Sequence, residues 1–98
     1  MIKATFKKKN HELYWFKVEG HAEFADIGQD IVCAGVSSLY ITIVNELKKL
    51  GRTFQREGGF FILDASIKEL LCLRLLYDGL SAIAKEYPQN VKVKIVEE

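Results

Sequence analysis

Between residues 20 and 37 the hydrophobic pattern of this chain changes its period. Ahead of that stretch, Ile2, Ala4 and Phe6 alternate with Lys3, Thr5 and Lys7. From Glu12 to Glu19 the alternation resumes, with Tyr14, Phe16 and Val18 on one face and Leu13, Trp15, Lys17 and Glu19 on the other. After it, Ile31, Val32, Val36, Leu39, Tyr40, Ile43, Leu47 and Leu50 recur at intervals of three or four. A period of two belongs to a strand with one buried face, and a period near 3.6 to a helix. The chain must therefore form a β-hairpin, turning at residues 8–10, that feeds a long helix. Leu13 and Trp15 make the second face of that hairpin unusually apolar, so another element or another subunit is expected to cover it.

The same switch is then repeated. Residues 53–57 and 60–63 read as strands around a Gly58-Gly59 turn, and Ser66 with Glu69 forms a capping box that opens a second helix. That helix runs to about Tyr87, where Pro88 stops it, and Val91, Val93 and Ile95 alternate in a last strand. The order is ββαββαβ, an α+β class with two helices packed on a mostly antiparallel sheet. In the second helix Leu70, Leu71, Leu73, Leu75, Leu76 and Leu80 cover more than one core-facing stripe, so part of that surface is expected to meet a second subunit.

With 98 residues, 49% of them hydrophobic, the chain can bury one core, and residues 1–98 are expected to be a single domain. The 14 basic and 13 acidic residues leave a net charge of +1, which gives no general attraction for nucleic acid or anionic lipid, so direct nucleic-acid binding is not expected. The basic cluster Lys7, Lys8 and Lys9 falls at the hairpin turn and reads as solvated. No leader segment is expected, since these lysines run into an alternating strand. The longest uncharged run, 31–45, is shorter than a spanning helix, so no membrane association is expected. A cytosolic location and reduced thiols follow for Cys33 and Cys72. No metal site and no cofactor are expected, because the two cysteines and two histidines complete no usual ligand spacing.

The chemistry-bearing residues lie where the period changes. The first helix is expected to begin near Asp30, whose carboxylate would cap it, and to end at Gly51. Cys33 would then occupy the third helical position, where unpaired N–H groups and the macrodipole favour a thiolate. An imidazole from His21 could pair with that thiolate and deliver a proton to a leaving amine, and the N–H groups of residues 32–34 could face an oxyanion. Asp30 either orients His21 or only caps the helix. Ser37, one turn beyond Cys33, bonds either to the site or to its own helix. His21 could equally just end a strand. Gly35 is costly within a helix and marks close approach of a backbone or ligand. Cys72 lies among leucines and reads as structural, and His11 at the hairpin turn as a solvated surface residue.

The blocks Gly20-His21-Ala22 and Gly28-Gln29-Asp30-Ile31-Val32-Cys33-Ala34-Gly35-Val36-Ser37 resemble the signature of the ribosomal-processing cysteine protease family, Prp or YsxB-like. The separation of the blocks, the length and the order of elements agree with that family over essentially the whole chain. Gly35 stands where alanine is frequent. The resemblance implies a bacterial cytosolic endopeptidase, acting as a homodimer, that removes the N-terminal extension of large-subunit ribosomal protein bL27. It implies Cys33 as nucleophile, His21 as catalytic base and acid, and Asp30 and Ser37 as supporting residues. It also implies a mobile substrate loop comprising Ala22, Glu23, Phe24, Ala25, Asp26, Ile27, Gly28 and Gln29. Two other classes compete with this reading. One is a non-catalytic ribosome-associated module that binds RNA through its sheet and Lys7 to Lys9, and the other a thiol redox sensor.

Overall fold

The structure is a computed structural model that describes the backbone of residues 1–20 and 27–98 and the side chains of residues 1–20 and 31–98. Its elements are β1 (Ile2–Lys9), β2 (Glu12–Glu19), α1 (Ile27–Leu50), β3 (Thr53–Arg56), β4 (Gly59–Ile62), α2 (Ile67–Glu86) and β5 (Val91–Glu97). The strands form one sheet in the order β3-β4-β2-β1-β5. Only β1 and β5 run parallel; the other neighbours are antiparallel. The α+β architecture with two helices and the order ββαββαβ is thus the one the hydrophobic pattern calls for.

Both helices lie on the sheet face that carries Ile2, Ala4, Phe6, Phe16, Ile62 and Val91, and together they enclose one core. From α1 come Val32, Val36, Ile43, Val44 and Leu47; from α2 come Cys72, Leu73, Leu76 and Leu80. Over Ile31–Leu50, α1 is by length and composition apolar enough to cross a membrane, with a hydropathy of 1.3. That run is longer than the uncharged 31–45 because its charges gather at the end, in Glu46, Lys48 and Lys49. Its buried side chains nevertheless fill the core of this domain.

The turns differ from the expected ones in register. Asn10 and His11 both have positive φ, 53° and 67°, so the first hairpin closes on these two residues, and Lys8 and Lys9 belong to β1. In the second hairpin Glu57 and Gly58 carry positive φ, 53° and 79°. The turn is therefore Glu57-Gly58, not Gly58-Gly59. Gly59 begins β4 and is small for another reason: a Cβ there would lie 2.3 Å from the Phe16 carbonyl oxygen and 2.8 Å from the Trp15 ring.

A bulge redistributes the aromatic residues of β2. Lys7 pairs with Trp15 and Lys8 with Leu13, which leaves Tyr14 as the extra residue. Leu13 consequently packs against the core, while Tyr14 turns to the opposite face, its ring 6.2 Å from Phe61. Simple alternation assigns these two residues the other way round. On that opposite face Trp15 is covered from within the chain. Its indole donates to the Arg56 carbonyl at 2.9 Å, and the Lys7 ammonium sits 4.4 Å from its ring centroid.

Two further expectations change. The Ser66 hydroxyl donates to the Glu69 carboxylate instead of capping a backbone N–H. This bond holds the Glu69 carboxyl below its usual range against the opposing effect of burial. Among the described residues Gly35 makes no close approach to another backbone, since a Cβ there would have only Ile83 Cδ1 nearby, at 3.8 Å. The tight contact between helices falls at Gly79, where a Cβ would meet Leu39 Cδ2 at 2.5 Å.

Asparagine substitutions separate the two glycines of the second hairpin. Gly58→Asn will cost less than about 1 kcal/mol, because asparagine tolerates positive φ. Gly59→Asn will cost about 2 kcal/mol or more, because a backbone oxygen and an indole ring cannot both retreat. Urea midpoints at equal m-value test the difference.

Candidate active site

The site is built where β2 ends. Gly20 has φ 96°, and a Cβ there would lie 2.1 Å from the Met1 carbonyl oxygen. Both the dihedral and the space demand glycine. The point at which the chain leaves the sheet is therefore fixed by the backbone, and His21 is the next residue. His21 and the loop residues Ala22, Glu23, Phe24, Ala25 and Asp26 lie outside the described residues.

Cys33 faces this strand end from α1. It is a free thiol, half-buried, packed against the core on one side and open to a cleft on the other. Ile2, Val18, Gly20, Cys33, Val36, Ser37 and Tyr40 line that cleft, whose volume is about 260 Å³. One cleft thus joins the nucleophile candidate to the residue from which His21 extends. Ser37 lies exposed on its rim, and its hydroxyl makes no hydrogen bond with a described residue, so the bond to its own helix is not formed.

The helix starts earlier than expected. It begins at Ile27, so Ile27, Gly28 and Gln29 form its first turn and do not belong to a loop. Asp30 is the fourth helical residue and not the N-cap, and Cys33 is the seventh and not the third. In α-helical geometry the N–H groups of residues 32–34 bond to the carbonyls of residues 28–30, so they are not free for an oxyanion. The macrodipole also fades beyond the first turn. The sequence misplaces this boundary because Gly28 and Gln29 separate Ile27 from the apolar run, whereas Asp30, a residue type that commonly caps helices, directly precedes it.

Sequence reasoning also assigned Tyr40 to the core alone. Seven residues, close to two turns, separate it from Cys33, so the same face of α1 carries both into the cleft. Burial pushes its phenol up, which keeps it neutral and able to donate. Tyr40 further lines a second cleft of about 480 Å³ with Gln55, Arg56, Glu57, Gly58, Gly59 and Phe60. The two openings are therefore neighbours across one side chain. Cys72, by contrast, is buried in α2, and burial followed by the Glu46 and Glu69 carboxylates raises its thiol pKa. Such a thiol is a poor nucleophile and redox partner. Among the described residues no cluster of His, Cys, Asp and Glu could hold a metal ion.

A family model described as cysteine protease Prp matches residues 1–92. The chain belongs to the Prp family of cysteine proteases. The ribosomal processing cysteine protease Prp of Bacillus subtilis is 30% identical, with 95% of this chain and 96% of that protein aligned. Its namesake in Staphylococcus aureus is 32% identical over 78% of this chain and 80% of its own length. Among solved structures, a Streptococcus mutans protein superimposes with a TM-score of 0.80 at 30% identity, covering 100% of this chain and 96% of that one. The Staphylococcus aureus Prp crystallised with a covalently linked product peptide shares the fold, with a TM-score of 0.81 at 24% identity, covering 98% of this chain and 100% of that one. The chain is accordingly a cysteine protease by family, with a Prp relative that aligns over 95% of it.

Because Gly20 sets the exit to His21, Gly20→Ala will lower stability by at least about 2 kcal/mol and reduce peptidase activity in the folded fraction. Urea unfolding and activity per folded molecule, measured side by side, check this.

Proposed function

We propose that this chain is a ribosomal-processing endopeptidase in which Cys33 is the nucleophile and His21 the general acid and base. The observation that carries the reading is the shared cleft of Cys33 and Gly20, the residue that precedes His21. In the proposed reaction His21 takes the Cys33 proton, and the thiolate attacks the scissile carbonyl carbon. The tetrahedral oxyanion collapses as His21 passes the proton to the leaving amine. Water then attacks the thioester, with His21 as base, and releases the acid and the free thiol. The N–H groups of residues 32–34 are engaged in α1, so activation of the thiol rests chiefly on the imidazole. With capping removed from its possible roles, Asp30 is proposed to position His21. Ser37 supports the substrate from the cleft rim.

The proposed substrate is the N-terminal extension of ribosomal protein bL27, bound extended from the Cys33 cleft past Tyr40. Relatives named ribosomal processing proteases, one of them crystallised with a substrate peptide, support this choice. The proposed setting is the cytosol and the proposed assembly a homodimer. Apolar side chains on the helix layer support the latter: Ile31 is 60% exposed, Ile41 56%, Leu71 54% and Leu75 51%.

Incubating the organism's own bL27 N-terminal peptide with enzyme, followed by mass spectrometry, tests the reaction. Wild type will cut at one site, and Cys33→Ala and His21→Ala will each lose at least about a thousand-fold in rate. Asp30→Asn will lower kcat with little change in KM and move the acid limb of the pH profile down, since an imidazole without a neighbouring carboxylate holds its proton less firmly. Intact peptide with folded wild type would refute the proposal.

The assembly has its own test. The double variant Leu71→Asp/Leu75→Asp will sediment as a monomer under conditions where wild type is a dimer. An unchanged sedimentation coefficient would place the interface elsewhere.

A further inference from the structure

The sheet face opposite the helices carries no element of the described chain, and the fold gathers basic and aromatic side chains on it. Ile2, Ala4 and Phe6 point into the core, as do Val91 and, in part, Val93 and Ile95, so Lys3 and Lys7 of β1 and Lys92 and Lys94 of β5 occupy the other face. Register sets Lys3 between Lys92 and Glu19, and Thr5 between Lys94 and Lys17. Lys17 is tied to Glu19 at 3.5 Å and Lys7 to Glu57 at 3.2 Å, whereas Lys3, Lys92 and Lys94 are exposed and ion-paired with no described residue. Like charges side by side cost a sheet stability. Glu19, shared between Lys3 across the strand and Lys17 beside it, offsets only part of this cost, and no described carboxylate lies within ion-pair distance of Lys92 or Lys94.

Aromatic rings continue the same face. Phe61 pairs with Trp15 on one side and Phe54 on the other, and Tyr14 stands edge-on to Phe61. Phe54 is 51% exposed, and Arg56 lies 5.1 Å from the Phe61 ring centroid. Lysines on β1 and β5 thus lie beside a half-exposed aromatic patch on β2, β4 and β3. A flat face of this kind matches a strand of nucleic acid whose phosphates meet lysines and whose bases stack on rings. A second copy would bring lysine against lysine. An acidic peptide would satisfy the lysines but leave the rings without flat partners.

We propose that this open sheet face binds single-stranded RNA, with Lys3, Lys92 and Lys94 on phosphates and Phe54 stacking a base. The choice of RNA rests on the proposed ribosomal substrate, and the sheet face is separate from the cleft that holds Cys33. Whole-chain charge gave no reason to expect such binding. The +1 balance averages over the whole chain, whereas on this face the lysines outnumber the carboxylates Glu19 and Glu57 that pair with Lys17 and Lys7.

The test is fluorescence anisotropy of a labelled 16-nucleotide oligouridine with the full chain at 50 to 200 mM KCl. Single-stranded DNA and double-stranded RNA of the same length serve as comparators. Wild type will bind the single strand with a falling log–log salt dependence. In Lys3→Gln/Lys92→Gln/Lys94→Gln the magnitude of that slope will fall by about 2, and affinity at 50 mM KCl by at least about ten-fold. Phe54→Ala will weaken binding about ten-fold without changing the slope. Both variants will keep the circular dichroism spectrum and the rate of peptide cleavage. No binding by wild type at 50 mM KCl, or equal binding by the lysine variant, would overturn the proposal. So would equal affinity for duplex RNA with Phe54→Ala neutral, or a change of sedimentation in the lysine variant that marks a second copy on this face. Equal affinity for single-stranded DNA would overturn the choice of RNA. Loss of peptide cleavage in wild type with RNA binding intact would count against the proposed protease reaction and leave the sheet-face proposal standing.

Discussion

The Phe6 and Phe16 pair is the contact on which the two helices settle. These rings sit opposite each other in the central strands, fully buried, with centroids 6.3 Å apart. Each helix sets one tyrosine edge-on against one of them: Tyr77 of α2 at 5.3 Å from Phe6, and Tyr40 of α1 at 6.3 Å from Phe16. Edge-to-face contacts fix the rotation of a helix more tightly than aliphatic packing alone. With Tyr40 so placed, Cys33 two turns earlier must look toward the same end of β2, where Gly20 leaves the sheet. The thiol's position is in this sense a consequence of core packing.

Both sides of the sheet are consequences of strand register. The bulge at Tyr14 keeps Phe16 and Val18 on the helix side while exchanging the faces of Leu13 and Tyr14. It lets Leu13 close the core and lets Tyr14 join Phe61 beyond it. Trp15 meanwhile is covered by Lys7, the Arg56 carbonyl and Gly59, so an apolar residue on the outer face needs no second subunit to cover it. Parallel pairing of β5 with β1 then aligns lysines that lie far apart in sequence. A chain with almost no net charge thereby acquires a basic surface.

Much of this was legible beforehand, for local reasons. Element types followed from the period of the apolar residues, and the candidate thiol from its neighbours, because both signals operate within a few residues. Boundaries were harder to read. At the start of α1, Asp30 imitates a cap because it is an acidic residue before an apolar run, while Gly28 and Gln29 hide the helical spacing of Ile27. Gly58 and Gly59 looked like one turn, yet the first is a turn residue and the second yields room to Trp15. Gly35 was given the close approach that belongs to Gly79. For the glycines the deciding atom lies on a segment distant in sequence: the Phe16 carbonyl and the Trp15 ring at Gly59, the Leu39 methyl at Gly79.

What the sequence by itself determined is the set of elements, their order and the closeness of Cys33 and His21 along the chain, since periodicity and spacing are properties of neighbours along the chain. What only the tertiary structure decided is the position of Cys33 in α1, the cleft it shares with Gly20 and Tyr40, and the gathering of Lys3, Lys92 and Lys94 on one face. These depend on helix rotation and strand register, which are set by steric fit between segments that meet only once the core has closed.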